Sequence, residues 1–268
     1  MEDFYKMKRS LLYLMAILAA CFIFTGCARN SVEKESNTVL RIAGSTSMIP
    51  ISQKLAGAYE KKHPGVVIHI EGGDSSLGIR GAASGIVDVG SVSRPLTQEE
   101  SSGLTSYRIA EDRLCVIVNG ENTVKELTIN QIKEVFSGEI SNWSQVGGRD
   151  RPITLINREQ GSGTYSFFYE AITRDKAEIN QKALVMTSTG SVISTVARDA
   201  DAIGYISSDY SEEGVKVVQI LTGESRASAL SRPLLYVLPE NAGRLARDYI
   251  SFCTGQEGRQ MIEGHLEN

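Results

Sequence analysis

The sequence predicts an α/β fold with mostly parallel sheets. Three observations predict it. Short apolar, β-branched runs alternate with segments of helical period. Several joints from run to helix are rich in Gly, Ser and Thr. The composition, 41% hydrophobic and 22% charged, is that of a globular chain, and 268 residues make one large domain or two small ones.

Val39 to Ala43 reads as a strand, followed by the turn Gly44-Ser45-Thr46-Ser47. Pro50 suits a first helical turn, and Ile51, Leu55, Ala58 and Tyr59 form one stripe that ends at His63-Pro64-Gly65. Val66 to Ile70 is β-branched and leads into Gly72-Gly73-Asp74-Ser75-Ser76. A small-residue helix over Leu77 to Ser84 precedes a strand at Ile86 to Val89. Leu114 to Val118 is strand-like. Thr128 and Gln131 fit a capping box ahead of the stripe Ile129, Ile132, Val135 and Phe136. Ile153 to Ile156 is a strand that runs into Arg158-Glu159-Gln160-Gly161-Ser162-Gly163-Thr164 and a helix over Tyr165 to Ile172. Ala202 to Ile206 and Leu234 to Leu238 are short strands, and the chain is helical from Ala242 onward. No internal repeat is visible.

Ahead of this pattern, Lys6, Lys8 and Arg9 precede an apolar run of 14 residues, Leu11 to Phe24. That run is shorter than the roughly 20 residues of a bilayer-spanning helix. Thr25 and Gly26 then precede Cys27, so residues 1–26 read as a secretory signal. The placement of Cys27 resembles a bacterial lipobox, in which the thiol is lipidated and becomes the new N-terminus. Cys21 follows Leu18-Ala19-Ala20 and matches the letters better. Cutting there would leave Phe22-Ile23-Phe24 exposed after the anchor, which favours Cys27. A plain secretory signal or an uncleaved anchor is the competing reading. Residues 27–38 are a polar tether.

A formal charge of −4 argues against nucleic acid as the main partner. His63, His69 and His265 lie far apart and no CxxC is present, so no metal site is expected. Cys115 and Cys253 sit in apolar and helical patterns and read as buried thiols. There is no GxxxxGK[ST], and Gly161-Ser162-Gly163 lacks the spacing of a dinucleotide fingerprint. Ser162 fails GxSxG because position 164 is Thr, and no general base accompanies it. The turns at Gly44 to Ser47, Gly72 to Ser76 and Gly161 to Thr164 carry the chemistry instead. Each opens a helix, whose first N–H groups are unpaired and carry about half a positive charge. Glycine permits close backbone approach and hydroxyls add donors. Such turns bind small oxyanions, and Arg158 adds a two-pronged donor. Capping alone is the bland alternative for any one turn.

Ala43-Gly44-Ser45-Thr46-Ser47, residues 72–79, Val87-Asp88-Val89-Gly90-Ser91-Val92-Ser93-Arg94 and residues 158–164 occur in this order. Together with Asn142-Trp143, Ala202-Ile203-Gly204-Tyr205 and Ser231-Arg232-Pro233-Leu234, they resemble the phosphate-binding protein of the phosphate ABC importer. The resemblance covers nearly all the chain beyond the signal. It implies a periplasmic-binding-protein type II fold of two α/β lobes joined by two crossover strands, near Leu114–Val118 and Leu234–Leu238, with a ligand cleft between the lobes. Residues 39–112 and 233–268 would form lobe 1 and residues 113–232 lobe 2. Carried over by position, it implies ligand contacts from Thr46, Ser47, Ser75, Ser93, Arg158, Ser162, Gly163 and Thr164, with Ser45, Asp74 and Arg94 as further candidates. Some family members have an aspartate where Ser93 stands, to accept the proton of hydrogen phosphate. Asp74 either takes that role here or caps the helix that follows it. Arg94 either pairs with a carboxylate or helps hold ligand.

The function implied is capture of inorganic phosphate by a monomeric lipoprotein, anchored outside the cell membrane, that delivers it to ABC permease subunits without a cofactor or catalysis. Another tetrahedral oxyanion (sulfate, molybdate or a phosphonate) is the alternative ligand. A secreted phosphate-ester hydrolase is an alternative class, and a scaffold or signalling lobe of the same fold that has lost its ligand is a third reading.

Overall fold

The computed structural model describes residues 38–173, 179–210, 214–221 and 230–266. The predicted signal, both cysteines at 21 and 27, and the tether up to residue 37 lie outside the described residues.

The first core is built on β1 (Thr38–Ser45), β2 (Val66–Gly73) and β3 (Val89–Val92), with β1 pairing parallel to both others. Helix α1 (Ile49–Lys62) carries Pro in its first turn and presents Ile51, Leu55 and Tyr59 to the sheet. Two C-terminal helices, α6 (Arg244–Thr254) and α7 (Gln256–Leu266), return to the same face and add Tyr249, Ile250 and Ile262. Helix α2 (Ser75–Ala83) covers the opposite face with Ile79 and Ala82. It lies unusually close to the strands. A Cβ on Gly90 would stand 2.3 Å from the Gly78 carbonyl oxygen. Small residues on both elements let the helix settle flat, and this fixes the position of Ser75 at its first turn.

The second core has the same layering. Its sheet contains β6 (Thr154–Arg158), β7 (Leu184–Met186) and β8 (Ala202–Ser207), with β6 parallel to both neighbours. Helices α3 (Ile129–Ser137) and α4 (Gly163–Thr173) pack on one face with Trp143, while α5 (Thr189–Arg198) packs on the other. The capping box at Thr128 and Gln131 forms as the sequence predicts, and Gly138 ends α3 in the left-handed region at φ 88°. Small strands β9 (Val215–Val217) and β10 (Gln219–Leu221) pair with β4 (Leu104–Asn119) and β5 (Glu126–Thr128).

β4 and β11 (Ser231–Pro239) join the cores. Ile109 and Ala110 of β4 belong to the first core, and Leu114, Val116 and Val118 to the second. The sheet is therefore mixed rather than mostly parallel. β11 runs antiparallel to β3 and β4, and β4 antiparallel to β8. A strand that leaves one core and a strand that returns to it must run in opposite senses, so the two connectors pair antiparallel. The strand predicted at Ile86 to Val89 also begins later, at Val89. The amides of Ile86 and Val87 donate to the Gly81 carbonyl, so this stretch still belongs to the end of α2.

Among the described residues no helix is long and apolar enough to cross a membrane, and no His/Cys/Asp/Glu cluster suits a metal ion. Cys115 and Cys253 are free thiols, held neutral because burial pushes them up to about 11 and about 12 respectively.

Candidate functional site

Strands β1, β2, β3, β6 and β7 all carry their following residues into one place, where helices begin. Asp74 caps α2, its Oδ1 accepting from the Leu77 amide at 2.7 Å. Ser162 caps α4, accepting from the Tyr165 amide at 3.3 Å. Ser188 caps α5, accepting from the Ser191 amide at 3.0 Å. A 3-10 turn over Thr46–Met48 leads into α1. Helix starts from both cores thus face one another, which concentrates positive backbone potential between them.

Two groups of hydroxyls lie within this region. In the first, Ser45 Oγ donates to Ser93 Oγ at 2.8 Å, Ser75 Oγ lies 3.4 Å from Ser93 Oγ, and the Ser93 amide donates to Ser75 Oγ at 3.1 Å. The backbone of Gly163 abuts this group from the other core. A Cβ there would be 2.3 Å from Ser75 Oγ and 2.6 Å from Ser93 Oγ. In the second group, Ser47 Oγ shares a hydrogen bond with Thr164 Oγ1 at 2.9 Å, and Thr46 Oγ1 shares one with Thr189 Oγ1 at 3.3 Å. The Thr189 amide also donates to Thr46 Oγ1 at 3.2 Å. Across the same gap, Tyr210 donates its phenol to the Thr46 carbonyl at 2.6 Å, and the Ser76 amide donates to the Gly161 carbonyl at 3.2 Å. The two halves are closed on each other.

A buried arginine stands at each end of the second group. Arg158 is 3% exposed, and its Nη1 donates to Thr189 Oγ1 at 3.4 Å. Its Nε and Nη2 engage Glu159 in a two-pronged pair at 2.8 Å each. Tyr205 fixes the base of this residue: its hydroxyl accepts from the Arg158 amide at 3.3 Å and donates to Asn157 Oδ1 at 2.5 Å. Burial pushes the Tyr205 phenol far up, so it stays a neutral donor. Arg232 is fully buried and pairs with Asp112 at 2.7 Å. Each guanidinium is matched by one carboxylate. Such pairing is what allows a charge to remain in a dry interior.

Of the sequence-predicted residues, Thr46, Ser47, Ser75, Ser93, Arg158, Ser162, Gly163 and Thr164 come together, and Ser45 joins them through Ser93. Asp74 serves as a helix cap, with Oδ1 on Leu77. Arg94 is held by Glu100, with both carboxylate oxygens at 2.7 Å, and also reaches Ser76 Oγ at 3.4 Å. That hydrogen bonding holds the Glu100 carboxyl below the usual carboxylate range. Sequence reasoning missed Thr189, Tyr210 and the role of Arg232. Thr187-Ser188-Thr189-Gly190-Ser191 has the same composition as the three turns singled out, so Thr189 carried a readable signal. Arg232 stands in the Ser231-Arg232-Pro233-Leu234 segment of the resemblance, but nothing local gives it a role, since its partner Asp112 lies 120 positions away.

The sequence pattern of the PBP superfamily domain matches residues 31–257. The chain belongs to the PBP superfamily. Its PBP-superfamily relatives include a phosphate ABC transporter substrate-binding protein from Clostridium perfringens solved with bound phosphate. The two share 34% identity and a TM-score of 0.81, over 85% of this chain and 98% of that one. An ABC-type phosphate transport receptor from Vibrio cholerae is 30% identical, with a TM-score of 0.66 over 84% of this chain and 98% of that one. The phosphate-binding protein PstS of Borreliella burgdorferi is 27% identical over 92% of this chain and 95% of its own length. The two layered cores are the two lobes of a PBP-superfamily fold, and the hydroxyl groups with their arginines lie where the lobes meet.

Proposed function

We propose that this chain captures inorganic phosphate outside the cytoplasm and delivers it to an ABC importer, making and breaking no bond. One observation carries the reading. Four helix starts, eight serine and threonine hydroxyls and two charge-matched arginines converge between the lobes, an array rich in donors and suited to a tetrahedral oxyanion. The phosphate-bound relative, similar over nearly its whole length, supports phosphate as that oxyanion.

In this reading Thr46, Ser47, Ser75, Ser93, Arg158, Ser162, Gly163 and Thr164 contact the anion. Ser45 orients Ser93, while Asp74 and Arg94 serve α2 and Glu100. Lobe 1 comprises residues 39–112 and 233–268, lobe 2 residues 113–232, and the monomer is the working unit. The charge on Arg158 is half committed to Glu159, so closure around the anion rests on neutral donors as much as on the guanidinium.

Phosphate at about 1,000 times its Kd should stabilise the native state by about 4 kcal/mol. For a chain of this size that raises Tm by about 10 °C. Arg158→Ala should abolish the shift. A shift with sulfate or molybdate and none with phosphate would reassign the ligand, while release of phenol from an aryl phosphate would make the chain a hydrolase.

The N-terminal reading adds a lipid on Cys27 and export ahead of it. The mass of the mature N-terminal peptide from cells should begin at a diacylglyceryl-modified Cys27. An unmodified peptide beginning elsewhere would remove the anchor.

A further inference from the structure

Arg232 does more than neutralise Asp112. It sits on β11, one of the two strands that join the lobes, and reaches a hydroxyl from each. Its Nη1 donates to Thr164 Oγ1 of lobe 2 at 2.9 Å, and its Nη2 donates to Ser47 Oγ of lobe 1 at 3.3 Å. Its Nε donates to Asp112 Oδ2 at 2.7 Å, and Asp112 Oδ1 in turn accepts from the Ser208 amide and hydroxyl at 3.2 Å each. The guanidinium is thus held rigidly in a fixed orientation.

The proton count at the two hydroxyls follows from this. A guanidinium only donates, so Ser47 Oγ and Thr164 Oγ1 must each accept from it. They are also hydrogen-bonded to each other at 2.9 Å, which uses one of their two hydrogens. The other hydrogen must point to the side away from Arg232 and is left for another acceptor; Thr189 Oγ1, 3.5 Å from Ser47 Oγ, is one within reach of Ser47. Arg232 therefore fixes this pair as net donors to whatever lies there, and donation from a cation strengthens the next hydrogen bond in the chain. Both contacts exist together only when Ser47 and Thr164 are near each other, which is the closed arrangement.

We propose that Arg232 is a positioning residue of the anion site: acting through Ser47 and Thr164, it aims hydroxyl donors at the bound oxyanion and ties capture to lobe closure. This rests on the phosphate-capture reading above. The alternative for Arg232 is a purely structural ion pair, which would affect stability and leave affinity alone.

The test is phosphate titration by calorimetry on the full chain. Asp112→Asn combined with Arg232→Gln removes both charges and keeps the shapes, so no unpaired charge is buried. This double variant should fold and bind phosphate about 10- to 100-fold more weakly, the range expected for losing hydrogen bonds to a charged group. Thr164→Val should weaken the wild type about 10-fold. Added to the double variant it should cost less than about threefold, because the changes act through one hydroxyl. Arg232→Lys keeps the charge opposite Asp112 but offers a single point of donation, so it should also bind more weakly. Additive effects of Thr164→Val in both backgrounds would overturn the proposal. So would wild-type Kd in the double variant, or in Arg232→Lys should the double variant fail to fold. Absence of phosphate binding by the wild type would instead sink the capture reading, and this proposal with it.

Discussion

Gly163→Ala is expected to lower phosphate affinity about a hundredfold or more while leaving the free chain folded. A Cβ at this position would stand 2.3 Å from Ser75 Oγ and 2.6 Å from Ser93 Oγ, both well inside contact distance. Serine is too short to swing its oxygen aside and keep its place. Turning Ser75 breaks its bond from the Ser93 amide, and turning Ser93 breaks its bond from Ser45. The other escape is for the lobes to stand further apart, which separates Ser47 from Thr164 and Thr46 from Thr189. Either route loses two or more hydrogen bonds to a charged ligand, each worth about 1.5–3 kcal/mol, and each 1.4 kcal/mol is tenfold. Folding is spared because the contact lies between lobes rather than within either core, and alanine suits a helix start better than glycine does. Calorimetric titration beside a ligand-free melting curve separates the two effects. Wild-type Kd in this variant would show that the lobes do not close on residue 163 around phosphate.

The residues that this substitution disturbs were largely legible in the sequence. Three Gly/Ser/Thr turns stood out because the same local composition serves glycine-backed approach, helix capping and donation. The helices were legible from their stripes, as at Ile51, Leu55 and Tyr59, which meet the first core as spaced. Illegible parts failed for identifiable reasons. The first half of β4 carries Arg108, Glu111, Asp112 and Arg113, which break any apolar run, yet its backbone is paired along its length to β11. β7 is three residues at a sheet edge, with Leu184 and Val185 exposed, so neither length nor alternation marks it. With β7 unmarked, local pattern does not identify the turn after it as a strand-to-helix joint, and Thr189 lies in that turn. Arg232 and Asp112 look like surface charges in their own segments. Only strand pairing brings them together, and a long-range register is what local periodicity does not encode.

That pair should produce the largest stability effect. Asp112→Ala is expected to destabilise the chain by about 3–5 kcal/mol, because it leaves the Arg232 guanidinium buried without its counter-charge. Arg232 is fully buried, and its other contacts are neutral hydroxyls, which cannot replace a carboxylate. The Ser208 amide and hydroxyl lose their acceptor as well. At about 2–4 °C per kcal/mol for a chain of this size, the melting temperature should fall by roughly 6–20 °C. Asp112→Leu combined with Arg232→Met should recover most of the loss, since hydrophobic residues of similar volume often replace a buried pair without cost. Urea unfolding of the three proteins measures this directly. A loss below about 1 kcal/mol in Asp112→Ala would mean that the guanidinium is not dry in solution, because only a desolvated charge carries so large a penalty. Recovery of stability in the doubly apolar variant without recovery of tight phosphate binding would then show why an ion pair stands there at all. Apolar side chains can fill the space between two strands, but they cannot direct the hydrogens of Ser47 and Thr164.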